Sequence, residues 1–330
     1  MRGGRLFVVV PCYNEEEVLP ETAKRLKEEL SKLAAAGTID DNSRILFVDD
    51  GSADRTWELI AGLHAQDPVF QGIRLARNSG HQNALIAGLF TAGSLCDMTI
   101  SMDADLQDDV HVIGQMVERY HAGADIVYGV RSARRSDTWF KRVTAEGFYR
   151  LMNRMGANTV YNHADCRLMS ARALAGLRQF GEVNLFLRGM VPLVGFSSDT
   201  VTYERAERFA GESKYPISKM LQFAAQGITS LSVRPIRMIT GLGFFIFFVS
   251  IVVFIYSLVR YFTGHTITGW TTTVLSVWAI GGLMMISLGV IGEYIGKIYL
   301  ESKGRPRYII ADYQGDATDT PDLIDRKGVI

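Results

Sequence analysis

Acidic side chains crowd one short stretch of the sequence, MDADLQDD at residues 102–109. Asp103 and Asp105 flank Ala104, and Gln107 follows two residues later. Oxygen donors of this kind suit a hard divalent cation, Mg²⁺ or Mn²⁺, which binds through one or two carboxylates plus the phosphates of a substrate. Bare carboxylates at such spacing repel each other, and a metal-bridged diphosphate would relieve that repulsion. The plain alternative for a lone Asp-x-Asp is capping of the following helix. A second acidic pair, Asp49 and Asp50 in FVDDGSADRT, weighs against capping alone if both pairs reach the same place.

For these acids to meet, regular elements must carry them to one rim. Short β-branched runs at residues 6–10, 45–48, 72–75, 98–102 and 126–128 read as strands. They alternate with stretches whose apolar residues fall at i, i+3, i+4 and i+7, which predicts an α/β domain with a mostly parallel sheet. Pro20 suits a first helical turn and Gly37 a helix stop. Ligands of such sheets sit at the carboxyl ends of the strands. PCYNEEE, DDGSADRT, ARNSGH and DADLQDD each follow a predicted strand, so four polar motifs converge on one rim. Neither GxGxxG nor GxxxxGK[ST] occurs, which speaks against a dinucleotide oxidoreductase and a P-loop nucleotidase. A nucleotide here would be held by metal and rim loops.

The chain has 330 residues, with 35 Lys plus Arg against 35 Asp plus Glu, a balance that gives no argument for a nucleic-acid partner. Its three cysteines, Cys12, Cys96 and Cys166, form no CxxC pair and fit a reducing compartment. Residues 238–259 and 266–292 carry no charged side chain, and a helix of about 22 residues spans roughly 33 Å, enough for a bilayer core. Two transmembrane helices at residues 235–298 are therefore expected, in preference to a pair of buried core helices. Arg234 and Arg237 precede them and Lys297, Lys303, Arg305 and Arg307 follow, which places both ends in the cytoplasm. LFVVVP is too short for a signal peptide and is cut by Pro11. Residues 215–234 repeat Ile217, Leu221, Ala224, Ile228 and Leu231 at helical spacing, consistent with an interfacial helix or with one packed on the soluble domain. The expected layout is a catalytic domain at residues 1–214, an amphipathic region at 215–234, the two spans at 235–298 and a cytoplasmic tail at 299–330.

In order along the chain, VVVPCYNEEEVLP, FVDDGSADRT, LARNSGHQNAL, MDADLQD, DIVYGVR, DCRLMS, RFAGESKYP and SLGVIGEYIGKIY resemble the motifs of family 2 glycosyltransferases. Within that family the sequence is similar to the polyprenyl-phosphate glycosyltransferases, which include dolichol-phosphate mannose synthase and the bactoprenol glucosyltransferases; the late GVIGEYIGKIY looks most like the bactoprenol branch. The resemblance implies a GT-A (Rossmann-like) domain in a bacterial inner membrane, with its active site toward the cytoplasm. It implies a nucleotide pocket at Pro11, Tyr13, Glu15, Val48 and Asp50, with Asp50 near the base, and a ribose and diphosphate segment at Asp103, Ala104 and Asp105. Asp105 and Gln107 match the metal ligands, and Asp103, Asp105 and Arg131 the catalytic set. Val110 stands where the family often has Pro, which bears on the helix start and not on the ligands.

Arg131, Arg142, Arg208 and Lys214 resemble the positions that hold an acceptor's lipid phosphate, a role for which the Arg fork and the Lys point charge are suited. Any one of them read alone is a solvated surface charge. Asp165 in ADCRLMS either orients the acceptor or pairs with Arg167 or a backbone amide, and His81 and His163 read as loop or core histidines. The implied reaction is inverting transfer of a hexose from a nucleotide sugar, UDP-glucose by the bactoprenol likeness, to undecaprenyl phosphate. A processive polysaccharide synthase is the nearest rival, but neither its Gln-x-x-Arg-Trp motif nor its additional spans occur. A non-catalytic membrane-anchored binding module is the other. Gly281, Gly282 and Gly289 permit close helix packing and leave a homo-oligomer open.

Overall fold

A computed structural model of the protein describes residues 3–131, 163–203, 229, 232–263 and 269–315. Strands and helices alternate as β1 (Leu6–Cys12), α1 (Leu19–Ala35), β2 (Arg44–Asp49), α2 (Thr56–Gln66), β3 (Phe70–Leu75), α3 (His81–Ala92), β4 (Met98–Ser101), α4 (Val112–His121) and β5 (Ile126–Arg131). There follow β6 (His163–Ser170), α5 (Ala171–Arg178), the short α6 (Leu187–Met190), β7 (Ser198–Tyr203), the long α7 (Arg234–Phe262) and α8 (Trp270–Ser302), and β8 (Ile310–Gln314).

The eight strands form one sheet in the order β7-β5-β6-β4-β1-β2-β3-β8. The half that carries the rim is parallel, through β3–β2, β2–β1 and β1–β4. Beyond it β4–β6, β5–β6 and β3–β8 are antiparallel while β5–β7 is parallel, so the whole is a mixed sheet of the GT-A kind. All seven residues of β1 are buried, as a central strand covered on both faces requires. Val8 and Val10 turn to a core shared with α1, α2 and α4; Phe7 and Val9 turn to one shared with α3 and α5. Pro11 is tolerated there for a local reason. The Val9 carbonyl is bonded by the Met102 N–H at 3.0 Å and that of Cys12 by the Asp50 N–H at 2.9 Å, so Pro11 faces the β4 side, past the last β4 residue. Its missing N–H removes no ladder bond.

Helix α3 lies close on the sheet because residue 88 is glycine: a Cβ there would come 2.4 Å from Val9 Cγ1 and 2.6 Å from Val48 Cγ2. The helix so seated begins at His81.

Two stretches, Arg234–Val253 and Ala279–Ser302, are long and apolar enough to cross a membrane. Their large apolar side chains point outward, Phe245 65% and Met285 69% exposed, which fits a lipid surround better than water. Helix α8 continues past the uncharged stretch through Glu293, Lys297 and Glu301, which stand among apolar residues such as Ile295 and Ile298. Tyr294 donates its hydroxyl to the Ser232 carbonyl at 2.5 Å, and the Lys297 ammonium bonds the Thr229 hydroxyl. The chain then returns to the sheet, where β8 runs antiparallel to β3 with Ile310 opposite Leu75 and Gln314 opposite Gly72.

The side chain of Arg131 and the whole of Arg142, Arg208 and Lys214, together with residues 215–228 of the expected amphipathic helix and 316–330 of the tail, lie outside the described residues.

Candidate functional site

The sheet order places β4 beside β1 after the chain has run outward through β2 and β3, so the strand order reverses at β1/β4. In such sheets the loops at the carboxyl ends of the strands part at the point of reversal and leave a crevice. The loops after β1 and β2 are stitched together. Asn14, at φ 55°, donates its N–H to the Ser52 hydroxyl at 3.0 Å and accepts the Ala53 N–H at 2.9 Å. The Glu15 N–H bonds the Thr56 hydroxyl at 2.9 Å. Tyr13 stays 48% exposed above this seam. Pro11 and Val48 are register partners beneath it, both buried.

Gly51 turns the chain after β2 at φ 68°, and a Cβ there would sit 2.6 Å from the Asn78 nitrogen. The close approach lets Asp50 accept the Ser79 and Gly80 N–H groups at 2.7 and 2.9 Å. Burial raises the Asp50 carboxyl above its ordinary range although both amides oppose it. Asp50 thereby anchors the turn that leads into His81.

His81, Asp103 and Asp165 come together at this crevice, each offering one ligand atom within 4.8 Å of the others. His81 Nε2 lies 3.7 Å from Asp103 Oδ1. Burial, and next the charge of Asp165, push the Asp103 carboxyl up to about 6. Burial acts on Asp165 in the same sense, but the Arg188 guanidinium overrides it and holds that carboxyl well below the usual range. The pair is two-pointed, Nε to Oδ1 at 3.1 Å and Nη2 to Oδ2 at 2.9 Å. Asp165 reaches the crevice because β6 pairs with β4, and Ser101 Oγ donates to the Asp165 carbonyl at 2.6 Å.

Asp105 and Gln107 continue the acidic loop. The Gln107 N–H donates to Asp105 Oδ1 at 3.2 Å across Leu106, a non-glycine residue at φ 55°. Between the two aspartates the Ala104 carbonyl accepts a 2.8 Å bond from the hydroxyl of Thr22 on α1, which is 2% exposed. One nitrogen and two carboxylates at this separation, continued by Asp105 and Gln107 along one loop, fit a divalent cation of the Mg²⁺ or Mn²⁺ type.

Sequence patterns miss three members of this site. His81 lacks any ligand spacing in the chain, although it closes the ARNSGH motif at a strand end. Arg188, rather than Arg167, is the partner of Asp165, and it sits on a four-residue helix without periodicity. Thr22 reads as an ordinary helix residue until α1 packs against the loop.

Residues 7–178, which hold β1 through α5 and every acid of the crevice, match Glycosyl transferase family 2. The chain belongs to this family. Membership makes it a glycosyltransferase. The likeness also runs well past residue 178. The uncharacterized glycosyltransferase YkoT of Bacillus subtilis (strain 168) is 53% identical over 305 residues, 92% of this chain and 90% of its own. The bactoprenol glucosyl transferase of Shigella phage SfV is 39% identical over 310 residues, 93% of this chain and 98% of its own. A prophage bactoprenol glucosyl transferase homolog of Escherichia coli (strain K12) is 39% identical over 313 residues, with the same coverage.

Proposed function

We propose that this family 2 glycosyltransferase moves a hexose, with inversion, from a nucleotide sugar to the phosphate of a polyprenyl lipid, with UDP-glucose and undecaprenyl phosphate as the pair. The observation that carries this reading is the position of the crevice relative to the two apolar helices. Strand β8, which follows α8, begins opposite Leu75, the last residue of β3, so the chain leaves α8 on the rim side of the sheet. A lipid phosphate in a headgroup layer around the ends of α7 and α8 would then face the acids. The bactoprenol named for the phage relative is a lipid of that kind.

His81, Asp103, Asp105, Asp165 and Gln107 would hold Mg²⁺ or Mn²⁺ together with the donor's diphosphate. Bound there, the cation offsets charge that develops on the leaving nucleoside diphosphate. Tyr13, Glu15 and the turn anchored by Asp50 line the same crevice and receive the nucleotide, with Pro11, Val48 and Ala104 forming its floor. A phosphate monoester has a second pKa of about 6, so the acceptor attacks as a dianion and no strong general base is required. That agrees with Asp165, which Arg188 keeps ionised and which is therefore a weak proton acceptor. Arg131, Arg142, Arg208 and Lys214 hold the acceptor phosphate against the repulsion of the donor.

The helices span a bacterial inner membrane in this reading, with both ends and the crevice on the cytoplasmic side. The test is incubation of the purified protein with Mg²⁺ or Mn²⁺, undecaprenyl phosphate and a panel of labelled nucleotide sugars. Label should enter the organic phase only with metal and lipid phosphate both present. Polymer kept in the aqueous phase, or nucleotide binding without transfer to lipid, would overturn it.

A further inference from the structure

We propose that Glu301, in the final turn of α8, is a positioning residue for the transfer site, acting through the segment that carries Arg188. Its carboxylate accepts the Val183 N–H at 2.8 Å on both oxygens, the Asn184 N–H at 2.8 Å and the Asn184 side-chain amide at 3.0 Å. Hydrogen bonds to an ionised acceptor are about twice as strong as neutral ones, and three donors on one carboxylate fix its geometry. Arg307, just beyond α8, adds a 2.6 Å bond to the Phe180 carbonyl on the same segment. Two residues from the membrane-helix end thus grip residues 180–184 of the transferase domain.

From that grip the path to the crevice is short and packed. Leu185, Phe186 and Leu187 are 6%, 3% and 3% exposed, and Leu185 and Leu187 sit in the α3-side core. The Leu187 N–H bonds Gln82 Oε1 at 3.1 Å, next to His81. Arg188 is the following residue and forks Asp165, whose carboxylate shares the cluster with Asp103. A buried segment with no slack has few ways to shift at one end only. The end of the second apolar helix and the Arg188–Asp165 pair at the crevice are therefore linked through named contacts, and sugar transfer depends on α8 being seated on the domain.

Turnover as a readout rests on the proposed transfer reaction, whereas backbone protection does not. The experiment uses the full chain in detergent and compares wild type, Glu301→Ala, Glu301→Gln, Arg188→Lys and the double variant Glu301→Ala/Arg188→Lys. Kinetics, Mn²⁺ binding and amide hydrogen exchange at residues 183–188 are measured on each. Glu301→Ala should speed exchange there, lower kcat about tenfold and weaken Mn²⁺ binding several-fold through the displaced Asp165, with the KM for nucleotide sugar within about twofold. Glu301→Gln, which keeps one acceptor oxygen, should fall between. The double variant should be no slower than its worse parent, since both changes break one path. Unchanged kcat in a Glu301→Ala protein with loosened residues 183–188, or losses that multiply independently, would overturn the proposal. If the wild type transfers no sugar, the transfer reading falls by itself; unchanged exchange at residues 183–188 in Glu301→Ala would then remove the positioning role as well.

Discussion

Asp165 and Arg188 meet as a two-point ion pair at the edge of the crevice, with side chains 26% and 28% exposed. The pair leaves one carboxylate ionised beside Asp103, whose own proton is held more tightly than usual. Two acids a few ångströms apart are thereby kept in different states by one guanidinium and by burial.

Arg188→Lys keeps the charge and loses the fork. We expect kcat to fall about tenfold, and about a hundredfold for Arg188→Ala, with little change in nucleotide affinity. Steady-state kinetics on both variants check this; equal turnover in all three proteins would remove Arg188 from the site.

Asp105→Ala removes an oxygen donor from the loop proposed to hold the cation. Turnover should drop by at least about a hundredfold and should not return at high Mn²⁺. Mn²⁺ titration by electron paramagnetic resonance gives a readout independent of turnover, and undiminished metal-dependent activity would sink the ligand assignment.

Thr22→Val is nearly isosteric but leaves the buried Ala104 carbonyl without its 2.8 Å donor. An unsatisfied buried group costs about 1–3 kcal/mol, which thermal unfolding can read, and the freed loop should bind Mn²⁺ several-fold more weakly. Thr22→Ser restores the hydroxyl and should restore both. Weakened stability with unchanged Mn²⁺ binding would confine Thr22 to a packing role.

Away from the crevice, Asp125 is gripped by both arms of Arg172 and accepts hydroxyl bonds from Ser170 at 2.9 Å and Ser197 at 2.8 Å. The Arg172 bond first, against burial, then the two serines lower its carboxyl to about 2. A carboxyl depressed in the folded state adds stability that is complete above its unfolded pKa and fades as pH falls through the folded value. Stability should therefore decline between about pH 4 and pH 2. In Asp125→Asn that part of the acid slope should be absent, as urea unfolding across this range would reveal.

Strands β1 to β5 are legible in the sequence as short apolar runs, the first four of them ending in a polar motif, and burial on both faces leaves no other use for residues such as Phe7, Val8, Val9 and Val10. Strands β6, β7 and β8 are not. HADCRLMS, SDTVTY and IADYQ mix polar and apolar residues, and they become strands only through pairing with β4, β5 and β3. The acids at Asp50, Asp103 and Asp105 are readable from local spacing. The cluster that joins His81, Asp103 and Asp165 is not, because β4–β6 pairing and the close seat of α3 over Gly88 create it, and neither leaves a mark at short range in the chain.

Strand β3 owes its partner β8 to a part of the chain made after both long helices. On the ribosome, β3 emerges first and presents a bare row of N–H and C=O groups to whatever is nearby. At about 5–20 residues per second, the stretch from Leu75 to Ile310 takes roughly 10–50 s to synthesise. Newly made transferase domain must pass that interval with an open edge, and the second apolar helix has to be in place before its sheet can be sealed.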